Sequence, residues 1–207
     1  MTPHRTAVNV IFGATGSGKT RFIEWLLESR PQTERWAVLM NDFGGTAQRS
    51  LPTRLVESVT VREIGGCACC TGQLVLRTAL VSLLRAQRPA RVLIEASAAA
   101  DPNALVELLR DPELASALHV HTIFATAGMH QLLDARYLGA PVYRAQLEAA
   151  DVVVLGGEEP VNESERAAAR AGLRAILSAH ARVLDDVRAI DLTTLDENQP
   201  PPSQPSP

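Results

Sequence analysis

Ala7-Val8-Asn9-Val10-Ile11-Phe12-Gly13-Ala14-Thr15-Gly16-Ser17-Gly18-Lys19-Thr20-Arg21-Phe22-Ile23-Glu24-Trp25-Leu26-Leu27-Glu28 reads as three joined pieces. Residues 7–12 form a near-continuous apolar run, the pattern of a strand buried on both faces. Residues 13–20 fit G-x-x-x-x-G-K-[ST], the pattern of a loop that cradles phosphates. Residues 21–28 place Phe22, Ile23, Trp25, Leu26 and Leu27 mostly on one side of a helix. A strand, a glycine loop and a helix in that order aim backbone N–H groups and a helix N-terminus at an anion. Gly13, Ala14, Thr15, Gly16, Ser17, Gly18, Lys19 and Thr20 are therefore the candidate nucleotide-binding residues, with the Thr20 hydroxyl placed for Mg²⁺.

Lys19 is the only lysine in a chain with nineteen arginines. A composition this averse to lysine keeps one where a slim ammonium is needed. The ammonium reaches the β- and γ-phosphates as a point charge, a task for which the planar guanidinium fork has the wrong shape.

Outward from this stretch, strands and helices alternate. The patterning predicts strands at 7–12, 36–41, 60–63, 91–95, 119–126 and 151–155. It predicts helices at 19–28, 72–86, 104–110, 143–149 and 162–183. Apolar strands such as Val92-Leu93-Ile94 and Val152-Val153-Val154-Leu155 suit a sheet covered on both sides. The expected fold is α/β: a phosphate-loop NTPase with a doubly wound, mostly parallel sheet and helices on both faces. Ligands in such sheets gather at the C-terminal ends of the strands. Residues 1–186 are expected to form one nucleotide-binding domain and 187–207 a disordered, proline-rich tail.

The 207 residues carry a net charge of −3, which gives no electrostatic case for nucleic acid or an anionic membrane. No apolar run approaches the roughly twenty residues that cross a bilayer. The N-terminus runs straight into the first strand, so no signal peptide is expected. The three cysteines are odd in number and crowded together, against a secreted disulfide framework and in favour of a reducing cytoplasm.

All three cysteines lie in Gly65-Gly66-Cys67-Ala68-Cys69-Cys70, on a turn between a predicted strand and a predicted helix. Three thiols within four residues offer soft ligands for Zn²⁺, Cu(I) or similar ions. A tetrahedral site needs a fourth ligand from elsewhere, and His119 or His121 is a candidate. A redox pair and plain apolar burial are the competing readings of the cluster.

Two acids fall at strand ends. Asp42, in Asn41-Asp42-Phe43-Gly44-Gly45, follows the second strand, where a carboxylate faces Mg²⁺ or a carried metal or simply makes a turn. Glu95 ends the apolar strand Val92-Leu93-Ile94, where phosphate-loop enzymes hold Mg²⁺ with a carboxylate. Lys19, Asp42 and Glu95 are the candidate catalytic residues.

Together these segments resemble the CobW/UreG/HypB group of metal-handling GTPases, its CobW-like branch in particular. That branch carries G-x-x-G-x-G-K-T, then N-E-F-G-E, then G-C-x-C-C, then I-E-[ST]-[ST]-G-x-A-D-P. The chain has, in the same order, residues 13–20, Asn41 to Gly45, Gly66-Cys67-Ala68-Cys69-Cys70 and Ile94-Glu95-Ala96-Ser97-Ala98-Ala99-Ala100-Asp101-Pro102. The likeness covers roughly residues 7–160. It implies a G domain coupling GTP binding or hydrolysis to delivery of a transition metal such as zinc, cobalt or nickel. Cys67, Cys69 and Cys70 would carry the metal, and Thr20 with Glu95 would hold Mg²⁺. The implied partners are GTP (or ATP), a metal-receiving client protein and, in a nucleotide-dependent homodimer, a second copy.

The chain also departs from the pattern. Gly156-Gly157-Glu158-Glu159 stands where the family reads guanine with N-K-x-D, so Glu159 alone approximates the base-reading aspartate. Ala98 replaces a glycine whose N–H senses the γ-phosphate, and Gly45 replaces an acid. These losses keep a second reading open, a non-hydrolysing metal sensor or adaptor with a degenerate nucleotide site. A small-molecule phosphate-loop kinase is a third, though it leaves the cysteines unexplained.

Overall fold

The structure is a computed structural model, and it describes residues 5–40, 51–52, 58–64, 70–156 and 161–197. Seven strands form one sheet in the order β3-β2-β4-β1-β5-β6-β7. They are β1 (Thr6–Phe12), β2 (Trp36–Met40), β3 (Thr60–Glu63), β4 (Arg91–Glu95), β5 (Leu118–Gly128), β6 (Val152–Gly156) and β7 (Arg182–Leu184). Every neighbouring pair is parallel. The α/β architecture expected from the sequence is the one found, with a sheet that is wholly parallel among the described residues.

The apolar strands divide their side chains between two cores, as the period-two alternation of strand side chains requires. On one face Val8, Val10, Phe12, Leu39, Val92, Ile94 and Val153 meet the covering helices. Those helices are α2 (Cys70–Gln87), α3 (Pro102–Arg110), α7 (Pro141–Glu148) and α8 (Glu163–Arg174). On the other face Ile11, Val38, Leu93, Phe124, Val152 and Val154 meet Phe22, Ile23, Leu26 and Leu27. These four belong to α1 (Lys19–Ser29), and Phe22 sets its ring edge-on to Phe124 with centroids 5.1 Å apart.

Helix boundaries follow their caps. α3 begins two residues before the predicted position because Pro102 occupies its first turn and the Asp101 carboxylate accepts from the N–H groups of Asn103 and Ala104. Proline there loses no hydrogen bond, and the carboxylate satisfies donors that would otherwise be orphaned. Short helices α4 (Pro112–Ala115), α5 (Met129–Leu133) and α6 (Ala135–Leu138) fill connections in which the patterning predicted none.

Two expectations at the C-terminal end are corrected. The predicted helix 162–183 stops at Arg174 and a strand follows. Alanine and arginine favour helix throughout this stretch, but the Arg182 N–H bonds the Asp151 carbonyl and Val183 pairs with Val153. A vacant sheet edge outweighs local propensity. Residues 187–197, assigned to a disordered tail, instead form 3₁₀ turns over Val187–Ala189 and Leu192–Asp196. Ile190 and Leu195 are buried against the face that α1 covers. Asn9 and Thr122 tie this strap to the sheet through the carbonyls of Leu195 and Thr194. Arg91, stacked on Trp36, pairs with Asp196 at 2.6 Å and donates to the side-chain oxygen Oδ1 of Asn9. Residues 198–207 lie outside the described residues.

Candidate nucleotide site

β1 lies at the centre of the sheet, flanked by β4 and β5, and the glycine loop leaves its C-terminal end. Gly13 adopts φ +143°, and a β-carbon there would come within 2.6 Å of both the carbonyl and hydroxyl oxygens of Thr126. No side chain fits. The Ser17 and Thr126 hydroxyls share a buried hydrogen bond of 2.6 Å. This fastens the loop to β5. Gly18, in the left-handed region, caps α1, so the helix N-terminus opens onto the loop and its positive end faces whatever the loop holds.

The Lys19 ammonium lies over the loop, donating to the carbonyls of Gly13 at 2.9 Å and Ala14 at 3.0 Å. Next to it the Thr20 hydroxyl donates to the Glu95 carboxylate at 3.3 and 3.4 Å. Glu95 is buried at the end of β4, whose register sets it opposite Ile11 and Met40. A hydroxyl and a carboxylate held side by side are hard oxygen donors of the kind Mg²⁺ takes.

Two glutamines complete the surroundings, and the sequence patterns singled out neither. Gln131, fully buried on α5, donates to the Thr15 carbonyl in the loop and accepts from the Gly128 N–H, both at 2.9 Å. Gln146, fully buried on α7, sets its amide nitrogen, with two N–H donors, among three carbonyls of the segment that follows Glu95. No periodicity or motif marks either residue, because the contacts that tie them to this site, Gln131 to Thr15 and Gln146 to the segment after Glu95, span more than forty positions in sequence.

The remaining candidates divide. Asp42, Glu159, Cys67 and Cys69 lie outside the described residues, as does the side chain of Cys70. Their anchors are placed. β2 ends at Met40 before the Asp42 segment and β3 ends at Glu63 before the cysteines, in register with each other and with Glu95. Four loop origins therefore share one edge of the sheet. Among the described residues no group of three His, Cys, Asp or Glu side chains gathers to hold a metal. His119 and His121 stack edge-on, 4.7 Å between ring centroids, near the start of β5. His119 pairs with Ala7, while the loop leaves after Phe12. Five residues of strand, about 16 Å, separate that end from the cysteine end.

Fold and loop together define a phosphate-loop nucleotide-binding α/β domain. Residues 7–185 match the model of the CobW/HypB/UreG nucleotide-binding domain. The chain belongs to that family. It is 34% identical over 168 residues to the zinc chaperone YeiR of Escherichia coli K12, covering 80% of this chain and 51% of that protein. It thus spans about half the length of the curated relatives it matches. Among solved structures it resembles the Zn(II)-bound YjiA GTPase of E. coli, with a TM-score of 0.62 at 21% identity over 94% of this chain and 61% of that one. It also resembles HypB of Helicobacter pylori in complex with nickel, at 0.56 and 16% over 93% and 82%. These two likenesses concern the fold. No described helix is long and apolar enough to cross a membrane.

Proposed function

We propose that this chain is a metallochaperone-type GTPase domain, in which the occupancy of the Lys19 loop governs the binding and release of a transition metal held by Cys67, Cys69 and Cys70. The observation that carries the reading is the Thr20–Glu95 pair beside the Lys19 ammonium, on the sheet edge from which the cysteine segment also departs. Zinc is the cargo favoured by the relative at 34% identity, a zinc chaperone. Three clustered thiols suit that ion.

Lys19 would leave the Gly13 and Ala14 carbonyls for the β- and γ-phosphates. Thr20 and Glu95 would hold Mg²⁺, which supplies charge neutralisation across those phosphates. The N–H groups of the loop and of the first turn of α1 would take the remaining phosphate oxygens. Hydrolysis of the γ-phosphate would proceed by positioning and charge stabilisation of an attacking water, with Asp42 near it, and would be slow. Ordering of the Asp42 and Glu95 segments around the triphosphate would reshape the cysteine loop between them. A metal-receiving client and a nucleotide-dependent second copy are the expected partners, and the cytoplasm the expected compartment.

Calorimetric titration of GTP into metal-free protein with Mg²⁺, with ATP as competitor, tests the reading, together with hydrolysis in the presence and absence of Zn²⁺. GTP binding that ATP does not displace, with turnover that responds to zinc, is expected. Equal background turnover in wild type and Lys19→Ala, with or without zinc, would remove the enzyme. The second reading, a non-hydrolysing adaptor, draws on Gly156. Its backbone is packed so tightly on Ser17 that the asparagine of a guanine-reading motif has no room there. Metal bound at the same stoichiometry whatever the nucleotide would favour it.

A further inference from the structure

The segment 97–100 follows Glu95 directly, and the Ala96 N–H bonds the Ile11 carbonyl, which places it beside the last residues of β1 and hence beside the phosphate loop. Its carbonyls are gathered by one side chain. Gln146 Nε2 lies 3.3 Å from the Ser97 oxygen, 3.2 Å from that of Ala98 and 2.9 Å from that of Ala100. Three carbonyl oxygens around one terminal atom identify it as the nitrogen of the amide, since only the donor end can meet them. The opposite atom, Oε1, is buried and makes no hydrogen bond among the described residues. An unmatched buried acceptor is unfavourable, and it is offset by the contacts of the nitrogen, which act alongside the turn in which the Ala100 N–H bonds the Ser97 carbonyl at 2.9 Å.

A trans peptide plane carries its C=O and the following N–H on opposite sides. With the Ser97 and Ala98 carbonyls turned to Gln146, the N–H groups of Ala98 and Ala99 are turned away from it. The Ala99 N–H meets the Ser97 hydroxyl at 3.2 Å. Ala98 is half-buried and Ala99 exposed. Backbone N–H groups fixed in direction beside a phosphate loop are donors for an anion at no cost of reorganisation.

We infer that Gln146 is a positioning residue that fixes the peptide planes of 97–100 so that the Ala98 N–H is presented to the terminal phosphate of a bound triphosphate, and that it thereby sets the preference of the site for triphosphate over diphosphate. The inference rests on the nucleotide-binding reading above and extends it to a helix outside every sequence motif. Gln146→Leu keeps the size of the side chain and removes the donor.

The test compares the affinities of GDP and of guanosine 5′-(β,γ-imido)triphosphate, each with Mg²⁺, in wild type and in Gln146→Leu. The variant is expected to bind the imido analogue about three- to tenfold more weakly, the worth of one buried hydrogen bond, and GDP within about twofold of wild type. An equal loss for both nucleotides, or none for either, would overturn the inference. Should the variant fold poorly, hydrogen exchange on wild type decides. The Ala98 and Ala99 amides are expected to exchange more slowly with the imido analogue than with GDP, and identical exchange would overturn the inference. Wild type that binds neither nucleotide would overturn the underlying reading, and the inference with it.

Discussion

Gly156, the last residue of β6, lies flush against the Ser17 carbonyl of the phosphate loop, so close that a β-carbon at 156 would overlap that oxygen. Ser17 has no room to yield, because its side chain is fully buried and bonded to Thr126. The family pattern carries asparagine at this position. Gly156→Asn is therefore expected not to restore guanine reading. It should destabilise the fold by about 1–3 kcal/mol, the range for overpacking, and weaken nucleotide binding by displacing the loop. Denaturant unfolding together with GTP and ATP titrations checks both. A gain in GTP affinity at unchanged stability would contradict the packing argument.

Lys19 makes two hydrogen bonds to loop carbonyls and is only partly buried, so the fold does not depend on it. Lys19→Ala should leave the unfolding midpoint nearly unchanged and weaken GTP binding by at least about a hundredfold, as expected for two lost charge-assisted hydrogen bonds. Lys19→Arg should rescue little, because the guanidinium fork does not match the slot. Binding restored to near wild type by arginine would show that charge alone matters.

The cysteine segment is anchored on β3, with β2 and β4 lying between it and β1, so the two sites can be perturbed one at a time. Replacing Cys67, Cys69 and Cys70 with serine is expected to abolish tight zinc binding, measured by competition with a chromophoric chelator, and to leave GTP affinity within about threefold. A mutant that still takes up one tightly held zinc would move the metal elsewhere.

His121 is buried beneath the C-terminal strap. Burial lowers its pKa, the neighbouring His119 and Arg91 lower it further, and Asp196 raises it only in part. The folded protein therefore binds this proton less readily than the unfolded chain. Stability is expected to be fully present above the ordinary histidine value of 6.5 and to fall as pH drops below it, levelling off below the lowered folded value. Unfolding free energies from pH 7.5 to 5 in wild type and in His121→Gln measure this. The variant should lose that part of the slope, and parallel curves would sink the assignment.

The segments legible in the sequence are those whose signal is local. Val8 to Phe12 and Val152 to Leu155 announce strands by composition alone, and Gly13 to Thr20 announce a phosphate loop by spacing. What was illegible is decided across the fold. Val183 looks helical until β6 offers an edge. Leu195 looks like part of a tail until Asn9 and Arg91, two polar residues in apolar strands, supply partners for its strap. β5 inserts an extra residue opposite Asn9, a bulge that no pattern revealed. Gln131 and Gln146 are ordinary helix residues by sequence and acquire meaning only from the carbonyls they reach.

The single lysine has a chemical consequence. Apart from the amino terminus, the chain has one amine for an acylating reagent to find. It sits where the loop carbonyls hold it and where phosphates would cover it. Acylation at Lys19 would thus act as a footprint of occupancy. One peptide mass, followed over time with and without nucleotide, would read the state of the site without a modified nucleotide or a mutation.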